Sequence, residues 1–176
     1  MEKRAPQSDL LPAESKVLEK LGDLPLDFRA MAAISNLFRA SLAVRRRLEA
    51  NVLATDKLSW TSFSSLWVLW VWGEMEVRDL ASAVGISRPT ATGVVATLKR
   101  RVLVKSRPGE HDGRTVFVDL TPKGRRIIER VFPTFNAEEA AVASCLAPED
   151  QDRLAELLRS LLRGVEPKSA HQKNGK

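Results

Sequence analysis

The side chains best suited to chemistry lie between residues 87 and 114, where cations and small hydroxyl groups are concentrated. A guanidinium or ammonium group binds phosphate, and a threonine offers a base edge either its hydroxyl or its methyl group. These residues therefore favour non-covalent binding of a polyanion, with double-stranded DNA as the first candidate. The predicted DNA-binding residues are Ser87, Arg88, Pro89, Thr90, Thr92, Gly93, Thr97, Lys99, Arg107, Asp112 and Arg114.

Catalytic and metal-binding chemistry have little support in the sequence. His111 falls in a turn, His171 falls in the C-terminal tail, and the single cysteine, Cys145, has no base near it. The three residues lack the spacing of a metal site. We therefore expect no catalytic residue, no metal and no cofactor. Cys145 falls in a stretch of apolar helix, which predicts a buried structural thiol, and a lone cysteine favours a reducing, cytoplasmic location.

Charge is distributed unevenly along the 176 residues, whose net charge is +6. Residues 74–126 hold eleven lysines and arginines against six aspartates and glutamates, so most of the excess positive charge falls there. This distribution is typical of a module that binds nucleic acid. No membrane span is expected, since the longest strongly apolar run, residues 66–72, is far shorter than the ~20 residues that a membrane helix needs.

The elements that must position the contact residues are two short helices and a hairpin. Gly85 predicts the turn between the helices, with Ile86 in the core between them, and Ser87 is expected to cap the second helix. Strands are predicted at 102–107 and 114–120, joined by a glycine-containing turn at 108–113. The inward side chains of the second helix are predicted to be Ala91, Val94, Val95, Leu98 and Val102.

Long helices are predicted on both sides of this module, which makes the fold mainly α with a small β-hairpin wing (α+β). Pro25 is expected to open a helix of about 28 residues, so long that part of it would pack on a second copy. Pro133 is expected to kink a later helix rather than end it, and Gly164 with Pro167 should close the last one. The predicted segments are a mobile extension (1–24), a dimerisation helix (25–58), a winged helix-turn-helix domain (59–126), C-terminal dimerisation helices (127–165) and a disordered tail (166–176).

An aromatic stripe at helical spacing marks the helix predicted for residues 60–72, which Ser59 should cap and Gly73 should end. Two interpretations are open: the stripe packs in the core, or it also lines a small-molecule cavity, since such cavities usually have apolar aromatic walls. Under the second interpretation the ligand-pocket residues are Phe38, Phe63, Trp67 and Trp70.

Residues 112–124, DGRTVFVDLTPKG, resemble the wing of MarR-type winged-helix regulators. The preceding LASAVGISRPTATGVVATLKRRVLVKSRP is similar to the helix-turn-helix of that family, and LSWTSFSSLWVL resembles the helix before it. The resemblance is dense over residues 58–126 and fits in layout from about residue 26 to residue 164.

The resemblance implies a homodimer of interleaved terminal helices on a pseudo-palindromic DNA operator, with a small aromatic or anionic effector. The second helix would enter the major groove, and Arg114, oriented by Asp112, would enter the minor groove. The alternative is that Asp112 and Arg114 only stabilise the turn. Many members carry an arginine near the middle of the recognition helix, where this chain has Gly93 and Thr97. Here the base contacts would therefore come from Arg88, Thr90 and Thr92.

The function expected from these observations is that of a homodimeric, sequence-specific DNA-binding repressor released by a ligand. The alternative is a winged helix that serves as a protein-interaction module without specific DNA binding. The positive charge of residues 74–126 disfavours the alternative, because a protein-binding face would expose apolar anchors instead.

Overall fold

A computed structural model of the chain describes residues 10–109 and 115–165. These residues form α-helices, one 3-10 turn and a small antiparallel sheet, which is the mainly α architecture with a β wing expected from the sequence. In chain order the elements are α1 (Pro12–Leu21), α2 (Phe28–Asn51), the 3-10 turn (Leu53–Asp56), α3 (Trp60–Trp72), β1 (Met75–Glu76), α4 (Val77–Val84), α5 (Arg88–Arg100), β2 (Val104–Pro108), β3 (Val116–Leu120), α6 (Pro122–Ala143) and α7 (Pro148–Val165).

The chain divides into one unit that ends at Arg47 and a second that begins at Leu48. In the first unit α1 lies within the segment predicted as a mobile extension, and Glu14 of α1 accepts a hydrogen bond from Asn36 of α2 at 2.9 Å. The helix expected to open at Pro25 begins at Phe28 instead. Asp27 Oδ1 accepts a hydrogen bond from the backbone N–H of Ala30 at 2.9 Å, and this carboxylate cap sets the start.

The core of the second unit is built around α3. Ser59 caps this helix by accepting a hydrogen bond from Ser62 N at 3.2 Å, and Gly73, with φ of +79°, ends it, so both predicted boundaries are confirmed. Burial of one large aliphatic side chain stabilises a fold by about 1.5–3 kcal/mol, so the mainly apolar buried face, in which Ser62 and Ser65 are also buried, makes α3 the anchor of the unit. The buried hydrophobic side chains of α3 are Phe63, Leu66, Val68 and Leu69.

The helix pair forms as predicted. Gly85, with φ of +72°, makes the turn after α4, and its N–H bonds the end of that helix. Ser87 Oγ then accepts a hydrogen bond from Thr90 N at 3.2 Å and caps α5. Ile86, predicted to be a core residue, is only half-buried.

One predicted inward side chain of α5 points outward. Ala91, Val95 and Leu98 are buried, but Val102 lies beyond the helix and is 59% exposed. Val102 adopts a left-handed conformation with φ of +58°, which ends the helical periodicity and turns the chain so that Leu103 enters the core. The first strand of the wing consequently begins at Val104 rather than at residue 102.

The sheet has three strands in the order β1-β3-β2, whereas the hairpin predicted from the sequence has two. All pairings are antiparallel, with Val104 opposite Leu120 and Arg107 opposite Phe117. Strand β1 joins because Met75 pairs with Val118. The sheet therefore connects the end of α3 directly to the wing.

Helix α6 begins at Pro122 and, as predicted, does not end at Pro133. Thr121 Oγ1 accepts a hydrogen bond from Gly124 N at 3.0 Å and donates one to the carbonyl of Val102 at 2.7 Å. The cap thus also fixes the turn that follows α5. Phe135, which the sequence analysis did not select, is buried beside Phe63.

Helix α7 differs from the prediction at its end, and Cys145 differs in burial. Gly164 lies inside α7 rather than closing it, and residue 167 lies outside the described residues. Cys145 is exposed in the single chain, because it follows the last turn of α6 and not the packed part of that helix. Within the described residues, no helix combines the length and apolarity needed to cross a membrane.

Candidate nucleic-acid interface

Helix α5 presents one face to the core and the opposite face to solvent. The buried side chains Ala91, Val95 and Leu98 recur at a spacing of three or four, so the residues between them point outward. Most of the predicted contact residues belong to this outer face, and only Thr97 is half-buried. The exposed ones are Ser87, Arg88, Pro89, Thr90, Thr92, Gly93 and Lys99.

The small hydroxyl groups of this face are engaged with the helix itself. Thr92 Oγ1 donates its proton to the carbonyl of Arg88 at 3.0 Å, and the Ser87 and Thr90 hydroxyls lie 2.7 Å apart. Thr92 thus retains an oxygen that can accept a hydrogen bond and a methyl group that can contact an apolar base edge. Low bulk and fixed hydroxyl orientation allow the helix backbone to approach a groove closely.

A side chain at position 93 would meet open space. A β-carbon built on Gly93 has no described heavy atom within 4 Å beyond its own helix and chain neighbours. Glycine costs an exposed helix interior about 1 kcal/mol relative to alanine. Because packing does not require glycine there, the residue suits an outer surface that must stay flat.

An open groove of about 530 Å³ lies between α5, the start of α4 and the wing. Arg78, Arg88 and Lys99 supply cations to its wall. Arg78 is paired with Glu76 at 3.2 Å, and Lys99 Nζ donates to Ser106 Oγ at 2.8 Å, which holds the end of α5 against the wing. The groove is therefore a cationic surface shared by the helix pair and the sheet.

Neighbouring protein groups also bind Arg107. Its Nε and Nη2 donate to the two carboxylate oxygens of Glu74 at 3.0 and 2.5 Å, and its guanidinium lies 4.7 Å from the centre of the Phe117 ring. The hydrogen bonds from Arg107 hold the pKa of the Glu74 carboxyl below its usual value. No local pattern in the sequence indicates this partner, because Glu74 and Arg107 are 33 positions apart.

Three residues predicted for the wing lie outside the residues that the structure describes. His111, Asp112 and Arg114 fall in the stretch 110–114, between the two described parts of the chain. The orientation of Arg114 by Asp112 therefore stays a prediction. On the described side of the turn, Gly109 N donates to the carbonyl of Thr115 at 2.8 Å, which brings the two strands together at its base.

Comparison with known proteins identifies the family. The family model described as MarR matches residues 58–116. An uncharacterised helix-turn-helix transcriptional regulator of Bacillus subtilis, YwaE, is 36% identical over 164 residues, which are 92% of this chain and 96% of the relative. The chain belongs to the MarR family. It is a winged-helix transcriptional regulator and not an enzyme, as the family and these relatives are regulators.

Solved structures of MarR-type regulators share this architecture. Sco3205 of Streptomyces coelicolor, a MarR family regulator solved in complex with DNA, aligns with a TM-score of 0.73 and 23% identity over 85% of this chain and 96% of its own. BpsR of Bordetella bronchiseptica, whose DNA binding is regulated by 6-hydroxynicotinic acid, aligns with a TM-score of 0.68 and 26% identity over 73% and 98%.

In this MarR-family chain the aromatic residues predicted to line a ligand pocket fall in both units. Phe63 is buried and stacks on Phe135 at 4.2 Å between ring centres, so it serves the core. Trp67 meets Trp72 edge-on at 5.2 Å, and Trp70 lies 5.5 Å from Phe132; both tryptophans are half-buried. Phe38 belongs to the unit that ends at Arg47 and is 64% exposed.

Sequence reasoning also missed a polar network behind the MarR-family recognition helix. Arg101, which caps the C-terminus of α5, donates to the carbonyls of Asp56 and Lys57 at 2.7 and 2.8 Å. The Asp56 carboxylate in turn binds Arg130 of α6, and the interaction raises the pKa of Arg130. The end of α5 is thereby tied to α6 through one short turn.

Proposed function

We propose that the chain is a homodimeric repressor that binds a pseudo-palindromic operator in double-stranded DNA and is released by a small aromatic or anionic ligand. The observation that carries the proposal is the outer face of α5, where small polar residues beside Arg88 and Lys99 border a cationic groove. The proposed working location is the cytoplasm.

Each recognition helix would enter a major groove. Arg88, at the first position of α5, would contact a base edge or the adjoining phosphate, because the N-terminal end of such a helix reaches furthest into the groove. Thr90 and Thr92 would contact base edges, while Ser87, Pro89, Gly93, Thr97 and Lys99 would lie along the backbone. Arg114, positioned by Asp112, would enter the minor groove.

Dimerisation is supported by apolar side chains that a single chain leaves in water. In α2, Phe38 and Leu42 are exposed, and in α7 Leu157 and Leu162 are exposed. Large apolar surfaces on a soluble chain mark interaction sites. For a pseudo-palindromic operator, the second copy that covers these faces must hold the two recognition helices about one DNA turn apart, roughly 34–36 Å.

The effector is proposed to bind an aromatic-walled site that includes Trp67 and Trp70. Support comes from the half-buried rings of Trp67 and Trp70 and from BpsR, whose DNA binding is regulated by 6-hydroxynicotinic acid. The residues of the site would be tested by tryptophan fluorescence quenching on addition of 6-hydroxynicotinic acid or a phenolic acid, with Trp70→Phe as the variant. Release of labelled DNA by the same compound would connect the site to regulation.

DNA binding is tested with a fluorescein-labelled duplex from the region upstream of the gene for this protein. The logarithm of the affinity should fall linearly with the logarithm of salt concentration, with a slope of about −0.9 for each phosphate neutralised. Arg88→Ala should weaken binding about tenfold or more. Arg153→Ala removes an exposed cation from α7 and serves as the matched control. Salt-insensitive binding, or equal effects of the two variants, would contradict the proposal and favour the protein-interaction module.

A further inference from the structure

The two faces of the wing sheet have different surroundings. On one face Val104, Val118 and Leu120 are buried, and Ser106 accepts a hydrogen bond from Lys99 of α5. Side chains alternate along a strand, so the residues between these belong to the opposite face. That face, here called the outer face of the wing, consists of Lys105, Arg107, Phe117 and Asp119.

Arg107 therefore lies on the face of the sheet turned away from the recognition helix. It is paired across the strands with Phe117, and its guanidinium packs on that ring at 4.7 Å. The neighbouring pair on the same face, Lys105 and Asp119, forms an ion pair at 3.2 Å. The cations of the outer face are thus matched to protein partners on that face.

Glu74 supplies the partner of Arg107 from a different element. It follows Gly73, the residue that ends α3, and both of its carboxylate oxygens accept hydrogen bonds from Arg107, at 3.0 and 2.5 Å. A two-point contact between guanidinium and carboxylate fixes both distance and angle. The end of α3, a largely buried helix, is thereby joined to β2, the strand that leads into the turn of the wing.

We propose that Glu74 is a positioning residue for DNA binding, and that it holds the wing at its working angle through Arg107. In this role Arg107 binds Glu74 within the protein and does not contact a phosphate. This inference rests on the proposed function, because the position of the wing matters only if the wing touches DNA. Strand β1 pairs with β3 only as far as Phe117, so beyond that position the wing is two-stranded. A two-stranded hairpin has little stability of its own, so without the contact to Glu74 this end of the wing must be ordered at the moment of binding, which lowers affinity.

The positioning role and the phosphate contact predict opposite effects of Glu74→Gln. If Arg107 positions the wing, loss of the carboxylate weakens binding of the labelled upstream duplex about three- to fivefold, because the contact that holds the wing is lost. If Arg107 binds phosphate, the same change frees the guanidinium, removes a negative charge beside the DNA and strengthens binding. Stronger or unchanged binding by Glu74→Gln would overturn the inference.

The salt dependence gives a second, independent readout. Arg107→Ala should weaken binding while the slope of log affinity against log salt stays as in the unaltered protein, whereas Arg88→Ala should reduce its magnitude by about 0.9. A similar reduction for Arg107→Ala would identify Arg107 as a phosphate contact. Lys105→Ala, which breaks the neighbouring ion pair on the same face, controls for a general change in charge.

A charge exchange separates positioning from a general loss of stability. The double variant Glu74→Arg, Arg107→Glu restores an ion pair between the same two positions, so it should bind DNA more tightly than either single variant. No recovery, with midpoints of thermal unfolding equal to that of the unaltered protein, would overturn the inference. If the unaltered protein shows no salt-dependent binding, the proposed function fails and the inference fails with it. If it binds and Glu74→Gln does not differ, only the inference fails.

Discussion

Asp56 and Arg130 form a two-point ion pair between a short turn and the helix that follows the wing. Arg130 Nη1 donates to Asp56 Oδ2 at 3.2 Å, and Nη2 donates to Oδ1. The backbone carbonyl of Asp56 also accepts a hydrogen bond from Arg101 at the end of α5. One aspartate thus connects the recognition helix with α6, the helix predicted to contribute to the dimer.

Asp56→Asn should lower the midpoint of thermal unfolding by about 2–4 °C. The side chain of Asp56 is only 14% exposed, whereas that of Arg130 is 61% exposed, so the amide would lose a charge-assisted contact at the shielded Asp56 while Arg130 stays in water. Circular dichroism at the helix signal measures the midpoint. Asp152→Asn, which changes an exposed carboxylate on α7, is the control, and identical midpoints for the two variants would exclude a stabilising role for the pair.

Gly93→Ala should stabilise the fold and weaken DNA binding at the same time. Alanine is favoured over glycine in an exposed helix by about 0.5–1 kcal/mol, and the added methyl group meets open space. On DNA the same methyl group would lie between the helix backbone and the groove. Chemical denaturation and binding of the labelled duplex measure the two effects, and a stabilised variant with unchanged affinity would remove Gly93 from the interface.

The matched variant Gly124→Ala should have the opposite effect on stability. A β-carbon on Gly124 would lie 1.9 Å from the carbonyl oxygen of Leu103, so the first turn of α6 could not keep its place against β2. We expect a loss of about 3 kcal/mol or more, as for other severe steric conflicts in a core. Equal stabilities of the two alanine variants would show that the close approach at Gly124 is not required.

Val102→Gly should stabilise the chain by about 0.5–1 kcal/mol. A left-handed backbone costs a residue that carries a side chain about 1–2 kcal/mol. The greater freedom of glycine in the unfolded chain offsets part of the stabilisation. Val102 is exposed, so little packing is lost. Denaturation midpoints of Val102→Gly and Val102→Ala provide the comparison, because alanine keeps the β-carbon and its strain. A glycine variant no more stable than the alanine variant would contradict the assignment of strain.

Leu157→Asp should convert the proposed dimer into a monomer. Leu157 is 53% exposed on α7, and a buried, unpaired carboxylate at a dimer interface costs several kcal/mol. Sedimentation equilibrium measures the oligomeric state, with circular dichroism to confirm that the helices persist. Ser160→Asp places the same charge on a polar position of the same helix and should leave the dimer intact. A dimeric Leu157→Asp variant would show that α7 does not form the interface.

Much of the fold follows from local features of the sequence. Caps at Ser59, Ser87 and Thr121 and turns at Gly73 and Gly85 act within three or four residues, so the hydrogen bonds that decide them are visible in the order of residue types. The spacing of apolar residues likewise indicated which face of α5 would be buried. Charge density indicated a polyanionic partner, and the resemblance of residues 112–124 to the MarR wing indicated the family, which the similarity to known regulators confirmed.

Only the tertiary structure decided which distant groups meet. The period of a strand places Arg107 on one face, but the partner on that face, Glu74, comes from the end of a helix 33 positions earlier. The left-handed turn at Val102 likewise depends on the packing of its neighbour Leu103 in the core and on the hydrogen bond from Thr121, 19 positions later. Local sequence determines helices, caps and tight turns because their hydrogen bonds are short-range. The partners of charged side chains depend on how the whole chain packs. Here that packing provides a partner within the protein for an arginine that was expected to contact DNA.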